Sequence, residues 1–256
     1  MQVGIVISEV SQSALEPPTA DLTPSGLLLW EFPLDIDDPA FAEYQALLSS
    51  DERSRASRFR FERDARRYTA ARASMRSILA RLTSVPPQDL LFTYSTQGKP
   101  SLPQAPPDVR FNISHSGDRG LLGVALGRDV GVDIEVMRED VEIDRLARRF
   151  FSPQEDHAIH ALAPSLQVPA FYRCWTCKEA FLKAQGVGLY RSLSSFDVEV
   201  NPERPARLIA TRPDPNESQL WSLYSIEAAT GFAAAVALDG VAVEINGFRL
   251  RGDPGR

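Results

Sequence analysis

The chain has 256 residues, with 28 basic and 34 acidic side chains, a net charge of −6 and 43% hydrophobic residues. That length holds one large domain or two small ones with ample material for a core, and the acidic balance argues against wholesale nucleic-acid binding. No run approaches the ~18 apolar residues of a membrane helix, the start MQVGIVISEVSQ has no basic region ahead of its apolar run, and two cysteines cannot frame a chain this long, so a cytoplasmic, reducing setting is expected.

In chain order, residues 1–26, with Pro17, Pro18 and Pro24, read as a loosely structured lead-in to a strand over 27–32. Residues 51–81 carry ten Arg and no Lys against four acids, a local excess opposite in sign to the whole chain. Within them Tyr68, Ala71, Met75, Ile78 and Leu79 recur at helical spacing and predict a helix over about 64–82. Its arginines read as a solvated face or as a docking surface for phosphates or an acidic partner. Pro86 and Pro87 break the chain before a short strand near 91–94, the turn Thr96-Gln97-Gly98-Lys99-Pro100 and a strand over 109–113. Strands over 121–126 and Val130–Val136 flank Gly127, Arg128 and Asp129, which read as a hairpin turn. Helices are predicted over Ile143–Phe150, from Ser152, and over about 170–185; Ser152 as N-cap, Pro153 and Glu155 form a capping-box start. From Phe196 the segments FDVEV, ARLIA, LWSLYSI and GFAAAVAL alternate with polar turns, and RLRGDPGR reads as a disordered tail. Strands and helices intermix without a regular βαβα rhythm, so the fold class is α+β.

Only three of the basic residues are Lys, namely Lys99, Lys178 and Lys183, in a chain otherwise committed to Arg. An ammonium is a compact point charge that a guanidinium does not reproduce, so three positions call for one. In Val132-Asp133-Ile134-Glu135-Val136 the period of two puts both carboxylates on one face, where they either meet water or hold a hard divalent cation. The helix ending at Gly186 aligns Trp175, Glu179 and Lys183 on one stripe in a largely apolar setting. Phe111-Asn112-Ile113-Ser114-His115-Ser116-Gly117 ends a strand in groups able to meet an anion, although a lone histidine there also suits an ordinary satisfied position. Cys174 and Cys177, with His157 and His160 upstream, nominally supply zinc ligands or a redox pair. Their helical setting and reversed order favour core-facing thiols.

Taken together, these segments resemble the Sfp-type 4′-phosphopantetheinyl transferases of the holo-acyl-carrier-protein synthase superfamily. The matching pieces are RFRFERDARR, GKP at 98–100, FNISHSG at 111–117, GVDIE at 131–135 and WTCKEAFLKAQGVGL at 175–189, in the family's order. The resemblance implies an α+β fold of two similar lobes related by pseudo-twofold symmetry, over 1–128 and 129–247, with a disordered tail at 248–256 and coenzyme A between the lobes. It implies transfer of 4′-phosphopantetheine from coenzyme A to a serine of an apo acyl or peptidyl carrier protein, with release of adenosine 3′,5′-bisphosphate. Asp133, Glu135 and Glu179 would be the Mg2+ carboxylates and Lys183 would hold the pyrophosphate. Ser114 and His115 would hold the 3′-phosphate end, Gly98, Lys99 and Pro100 would border the adenine, and Arg55 and Arg67 would add phosphate contacts. Glu179, directly or through a metal-bound water, is the candidate general base beside Asp133 and Lys183. A monomer without nucleic-acid or membrane partners is expected, serving fatty-acid, polyketide or nonribosomal-peptide carriers. The rival readings are a Mg2+-dependent hydrolase of a nucleotide pyrophosphate and a non-catalytic module that binds coenzyme A or an acidic partner.

Overall fold

The structure is a computed structural model that describes residues 4–10, 17–18, 21–103, 108–242 and 244–250. The first half runs β1 (Gly4–Val10), β2 (Gly26–Pro33), α1 (Asp38–Leu47), α2 (Ser50–Ala56), α3 (Glu62–Thr83), β3 (Thr93–Tyr94), β4 (Pro100–Ser101), β5 (Val109–Ser116) and β6 (Arg119–Leu126). The second half runs β7 (Val130–Val136), α4 (Ile143–Phe150), α5 (Pro153–His160), α6 (Pro164–Gln185), β8 (Phe196–Val198), β9 (Leu208–Thr211), β10 (Trp221–Ile226), β11 (Phe232–Asp239) and β12 (Glu244–Leu250).

The wiring repeats. In the first half β2, α3, β5 and β6 follow one another, and the strands lie in the order β2-β6-β5, every pairing antiparallel. In the second half β7, α6, β10 and β11 follow one another, and the strands lie in the order β7-β11-β10, again antiparallel. Each unit carries one helix of 22 residues, α3 and α6. Alternation along the strands explains the layering. Leu28, Trp30 and Phe32 of β2 join Met75, Ile78 and Leu79 of α3 in one core, whereas Leu27 and Leu29 join Val130, Val132 and Ile134 of β7 in a second core between the sheets. Val132 and Ile134 are fully buried, and such side chains each stabilise the fold by about 1.5–3 kcal/mol.

The same alternation turns Gly131, Asp133 and Glu135 toward α6. A Cβ on Gly131 would stand 2.1 Å from the Ala180 carbonyl oxygen and 2.3 Å from the Ala184 nitrogen. Glycine is therefore what lets α6 lie directly on β7, and that approach brings Glu179 and Lys183 over the acids of the strand.

Helix α3 covers the predicted span, and α5 begins with the predicted capping box, in which Ser152 Oγ accepts from the Glu155 N–H and the Glu155 carboxylate accepts from the Ser152 N–H. Gly186 ends α6 in the left-handed region, at φ 68°. Four expectations are corrected. Residues 4–10 of the supposed lead-in form β1, parallel to β12. Gly127, Arg128 and Asp129 make a crossover rather than a hairpin turn, because β6 and β7 enter different sheets. Helix α6 starts at Pro164 instead of about 170; Pro169 stands within it and gives up one backbone donor early in the helix. Residues 248–250 of the supposed tail close β12, which returns to the first sheet between β1 and β2; residues 251–256 lie outside the described residues.

Candidate active site

Strands β5 and β7 meet through side chains rather than a backbone ladder. The alternate positions Asn112, Ser114 and Ser116 of β5 face β7. Asn112 Oδ1 accepts the Val132 N–H at 2.9 Å, and Ser116 Oγ accepts the Val136 N–H at 3.2 Å while donating to Glu135 Oε2 at 2.7 Å. Between them Ser114 Oγ donates to Asp133 Oδ1 at 2.9 Å. The sequence placed Asn112 and Ser116 among groups able to meet an anion and did not show that they join β5 to β7. Three small polar residues at i, i+2 and i+4, alternating with Phe111 and Ile113, were the available signal.

Lys183 reaches across from α6, its Nζ 2.6 Å from Asp133 Oδ1 and 2.8 Å from Ser114 Oγ. Asp133 is 2% exposed, and its other oxygen, Oδ2, is buried without a hydrogen-bond partner among the described residues. Burial pushes the Asp133 carboxyl above its ordinary value, and the attraction of Lys183 and the Lys183 and Ser114 hydrogen bonds only partly offset it. Burial and then repulsion from Asp133 likewise raise Glu179; burial raises Glu135, with the Ser116 hydrogen bond opposing and Asp133 adding to the rise. Three acids thus converge from β7 and α6 on a region where Lys183 opposes all three and Arg138 adds its charge only toward Glu135.

Among the described residues no three His, Cys, Asp or Glu side chains form a ready-made metal cluster. At Asp133 and Glu135, Lys183 Nζ and Ser116 Oγ take the oxygens Oδ1 and Oε2. The donor chemistry still fits a hard divalent cation such as Mg2+. It is all oxygen, it carries more negative than positive charge, and it includes the orphaned Asp133 Oδ2.

A cleft of about 380 Å³ opens between the β3–β4 hairpin, the start of β5 and the C-terminal end of α6, lined by residues that include Tyr94, Lys99, Pro100, Arg110 and Gln185. Gly98 makes its bordering turn at φ 83°. Lys99 Nζ donates to the Ala184 carbonyl at 2.7 Å, meeting the negative end of the α6 dipole. It also stands 3.7 Å from Asp129 Oδ1. Burial lowers the Lys99 ammonium, and Asp129 opposes that shift. His115 is exposed at the end of β5, its ring held below its ordinary value by surrounding protein and by Lys183.

Arg55 and Arg67 stand on α2 and α3. The Arg55 guanidinium lies 5.4 Å from the Tyr68 ring centroid, and Arg67 forms a two-pronged pair with Asp35 at 2.6 and 2.7 Å. The third lysine, Lys178, is structural. Fully buried, it meets Glu155 Oε2 at 2.8 Å and donates to the carbonyls of Leu193 and Phe196. Cys174 and Cys177 are also fully buried, and burial pushes the Cys177 thiol up to about 12, so both pack in the core.

Two family models match the chain. One, described as the 4′-phosphopantetheinyl transferase superfamily, covers residues 129–237, and the other, described as 4′-phosphopantetheinyl transferase, N-terminal, covers residues 37–125. They divide where β6 gives way to β7. The 4′-phosphopantetheinyl transferase HetI of Nostoc sp. is 37% identical over 227 residues, 88% of this chain and 92% of its own. The 4′-phosphopantetheinyl transferase Sfp of Bacillus subtilis is 30% identical over 193 residues, 75% of this chain and 83% of its own.

Proposed function

The chain belongs to the Sfp-type 4′-phosphopantetheinyl transferases, and from that premise we propose that it transfers 4′-phosphopantetheine from coenzyme A to a serine hydroxyl of an apo acyl or peptidyl carrier protein. The reading rests on one observation above the rest: the buried, unpartnered Asp133 Oδ2 beside two further acids, with an ammonium on the opposite oxygen. In the reaction the serine oxygen forms a bond to the phosphorus that bears pantetheine. The bond from that phosphorus to the bridging oxygen breaks, and adenosine 3′,5′-bisphosphate leaves.

Phosphoryl transfer asks the protein for positioning and charge more than for covalent help. Asp133, Glu135 and Glu179 would hold Mg2+, which when bound supplies positive charge to the pyrophosphate oxygens. Lys183 offers three donors and only part of its charge is spent on Asp133, which suits it to the pyrophosphate on the leaving side. Glu179, raised by burial and by Asp133, is suited to take the serine proton. Gly98, Lys99 and Pro100 would border the base, and His115 would meet the 3′-phosphate. The Ser114 hydroxyl, taken up by Asp133 and Lys183, holds the carboxylate side of the site. Arg55 and Arg67 would add phosphate contacts at the edge. The lobes of this reading divide at 128/129, and the protein acts as a cytoplasmic monomer.

Intact mass spectrometry of apo carrier proteins incubated with this protein, coenzyme A and Mg2+ tests the reading. A phosphopantetheine-sized gain that disappears with EDTA is expected. Cleavage of coenzyme A without any gain on carriers of fatty-acid, polyketide and nonribosomal-peptide type would make it a hydrolase instead.

A further inference from the structure

Among the described residues two aromatic residues line the cleft beside Lys99, the buried Phe111 and the exposed Tyr94, and the position of Tyr94 is fixed from behind. Tyr94 lines the cleft and is 50% exposed, so its ring is available to a ligand. Its hydroxyl accepts from Arg72 NH2 at 2.9 Å. Arg72 is itself held, with its Nε 2.6 Å from Glu52 Oε1, while Arg76 Nε binds Glu52 Oε2 at 2.6 Å. Both guanidiniums lie about 5 Å from the Phe92 ring centroid, and Arg76 NH1 also donates to the carbonyls of Pro87 and Leu90. Although burial opposes it, the two arginines hold the Glu52 carboxyl below its ordinary value. The network is closed everywhere except at Tyr94, where it reaches the cleft.

The cations of the cleft differ in the same way. The Lys99 ammonium is spent on the Ala184 carbonyl and Asp129, whereas Arg110, on the cleft wall and exposed, makes no hydrogen bond or ion pair among the described residues. A wall with a fixed, half-exposed phenol ring, a free guanidinium and the hydroxyls of Thr93, Ser95 and Ser101 matches a ligand that joins a flat aromatic ring to an anionic group.

We propose that Tyr94 is the stacking platform for the base of the nucleotide substrate, and that Glu52 and Arg72 are positioning residues that set its ring. The proposal rests on the functional reading above and adds to it the residue that holds the base and the buried pair that fixes that residue.

The test uses the full chain with calorimetric binding of adenosine 3′,5′-bisphosphate, which does not depend on turnover, together with transfer kinetics. Tyr94→Leu is expected to weaken binding of the bisphosphate about tenfold. It should raise KM for coenzyme A by a similar factor and leave kcat, KM for the carrier and inhibition by base-free 4′-phosphopantetheine unchanged. Tyr94→Phe keeps the ring and loses only the Arg72 bond, and should fall between the wild type and Tyr94→Leu. A merely structural role would move kcat or melting temperature, or weaken both inhibitors alike, and would overturn the proposal; so would unchanged bisphosphate binding in Tyr94→Leu. Bisphosphate binding that depends on Tyr94 in a protein that modifies no carrier would support the platform and break the functional reading alone.

Discussion

Lys178 and Lys183 lie little more than one turn apart on α6, and each meets a buried carboxylate, yet they belong to different kinds of region. Around Lys178 every charge is answered. Glu155 accepts from Lys178, from the Ser152 N–H and from the Val198 N–H, while Lys178 also donates to two carbonyls. Around Lys183 the pairing stays open, because Asp133 Oδ2 has no partner among the described residues and three acids outnumber Lys183 and the Arg138 that acts on Glu135. A saturated buried pair fixes structure, whereas an unsaturated one keeps capacity for a ligand. Both pairs read as Lys and Glu or Asp in an apolar setting, so their difference lies in the count of partners and not in residue type.

The sharpest break in that comparison is functional. Asp133→Ala and Glu179→Ala are expected to lower turnover on the order of 10²–10³-fold, with a melting temperature equal to or above that of the wild type, since they remove a buried and a half-buried acid whose charged forms the fold disfavours. Stopped transfer assays and calorimetry on the same preparations check both halves.

At the saturated pair the effect should be reversed. Lys178→Met leaves Glu155 buried without its cation and is expected to cost about 3–5 kcal/mol of stability in urea melts. The fraction that remains folded should keep its kcat. Lys178→Met with Glu155→Gln should recover part of the loss, because the uncompensated charge is gone while the capping bonds can persist.

Lys183→Arg keeps the charge and changes its shape, with a planar fork replacing a point charge that meets Asp133 Oδ1 and Ser114 Oγ together. A kcat reduced about tenfold with stability unchanged is expected in steady-state assays; unchanged kinetics would show that the site needs no ammonium.

The smallest effect is in pH. Glu179 is raised in the folded protein, so between its ordinary value of 4.5 and its raised value the native state holds more protons than the unfolded state. Metal-free wild type therefore loses stability relative to Glu179→Gln as pH rises through that window, and the two converge below it. Glu52 shifts the other way, held low by Arg72 and Arg76, so its stabilisation is present above the ordinary glutamate value and disappears as pH falls through the lowered one. Melting temperatures of wild type, Glu179→Gln and Glu52→Gln across pH separate the two trends.

Local physics carried much of this into the sequence. Helical spacing marked α3, the Ser152 to Glu155 pattern marked the start of α5, and the period of two set Asp133 and Glu135 on the face that meets α6. What stayed hidden was long-range. The turn chemistry of Gly127 marks a turn but does not say which sheet each strand enters, so a crossover read as a hairpin. Strands β1 and β12 pair across nearly the whole chain, and neither segment states its partner. The duplication lies in the order of connections and not in residue identity, which is why β2-β6-β5 and β7-β11-β10 gave no repeat in the sequence. Rarity of lysine pointed to three positions that need an ammonium, but burial and the count of partners were needed to separate Lys178, which closes a core, from Lys183, which faces the site.

The central claim is that the unsaturated pair is built for a cation. Titration calorimetry of Mg2+ into the coenzyme A-bound protein tests it most directly, with Asp133→Asn and Lys178→Met alongside wild type. The account predicts binding by the wild type and by the folded Lys178→Met protein, and binding at least about tenfold weaker in Asp133→Asn. Equal Mg2+ affinity in wild type and Asp133→Asn would contradict it.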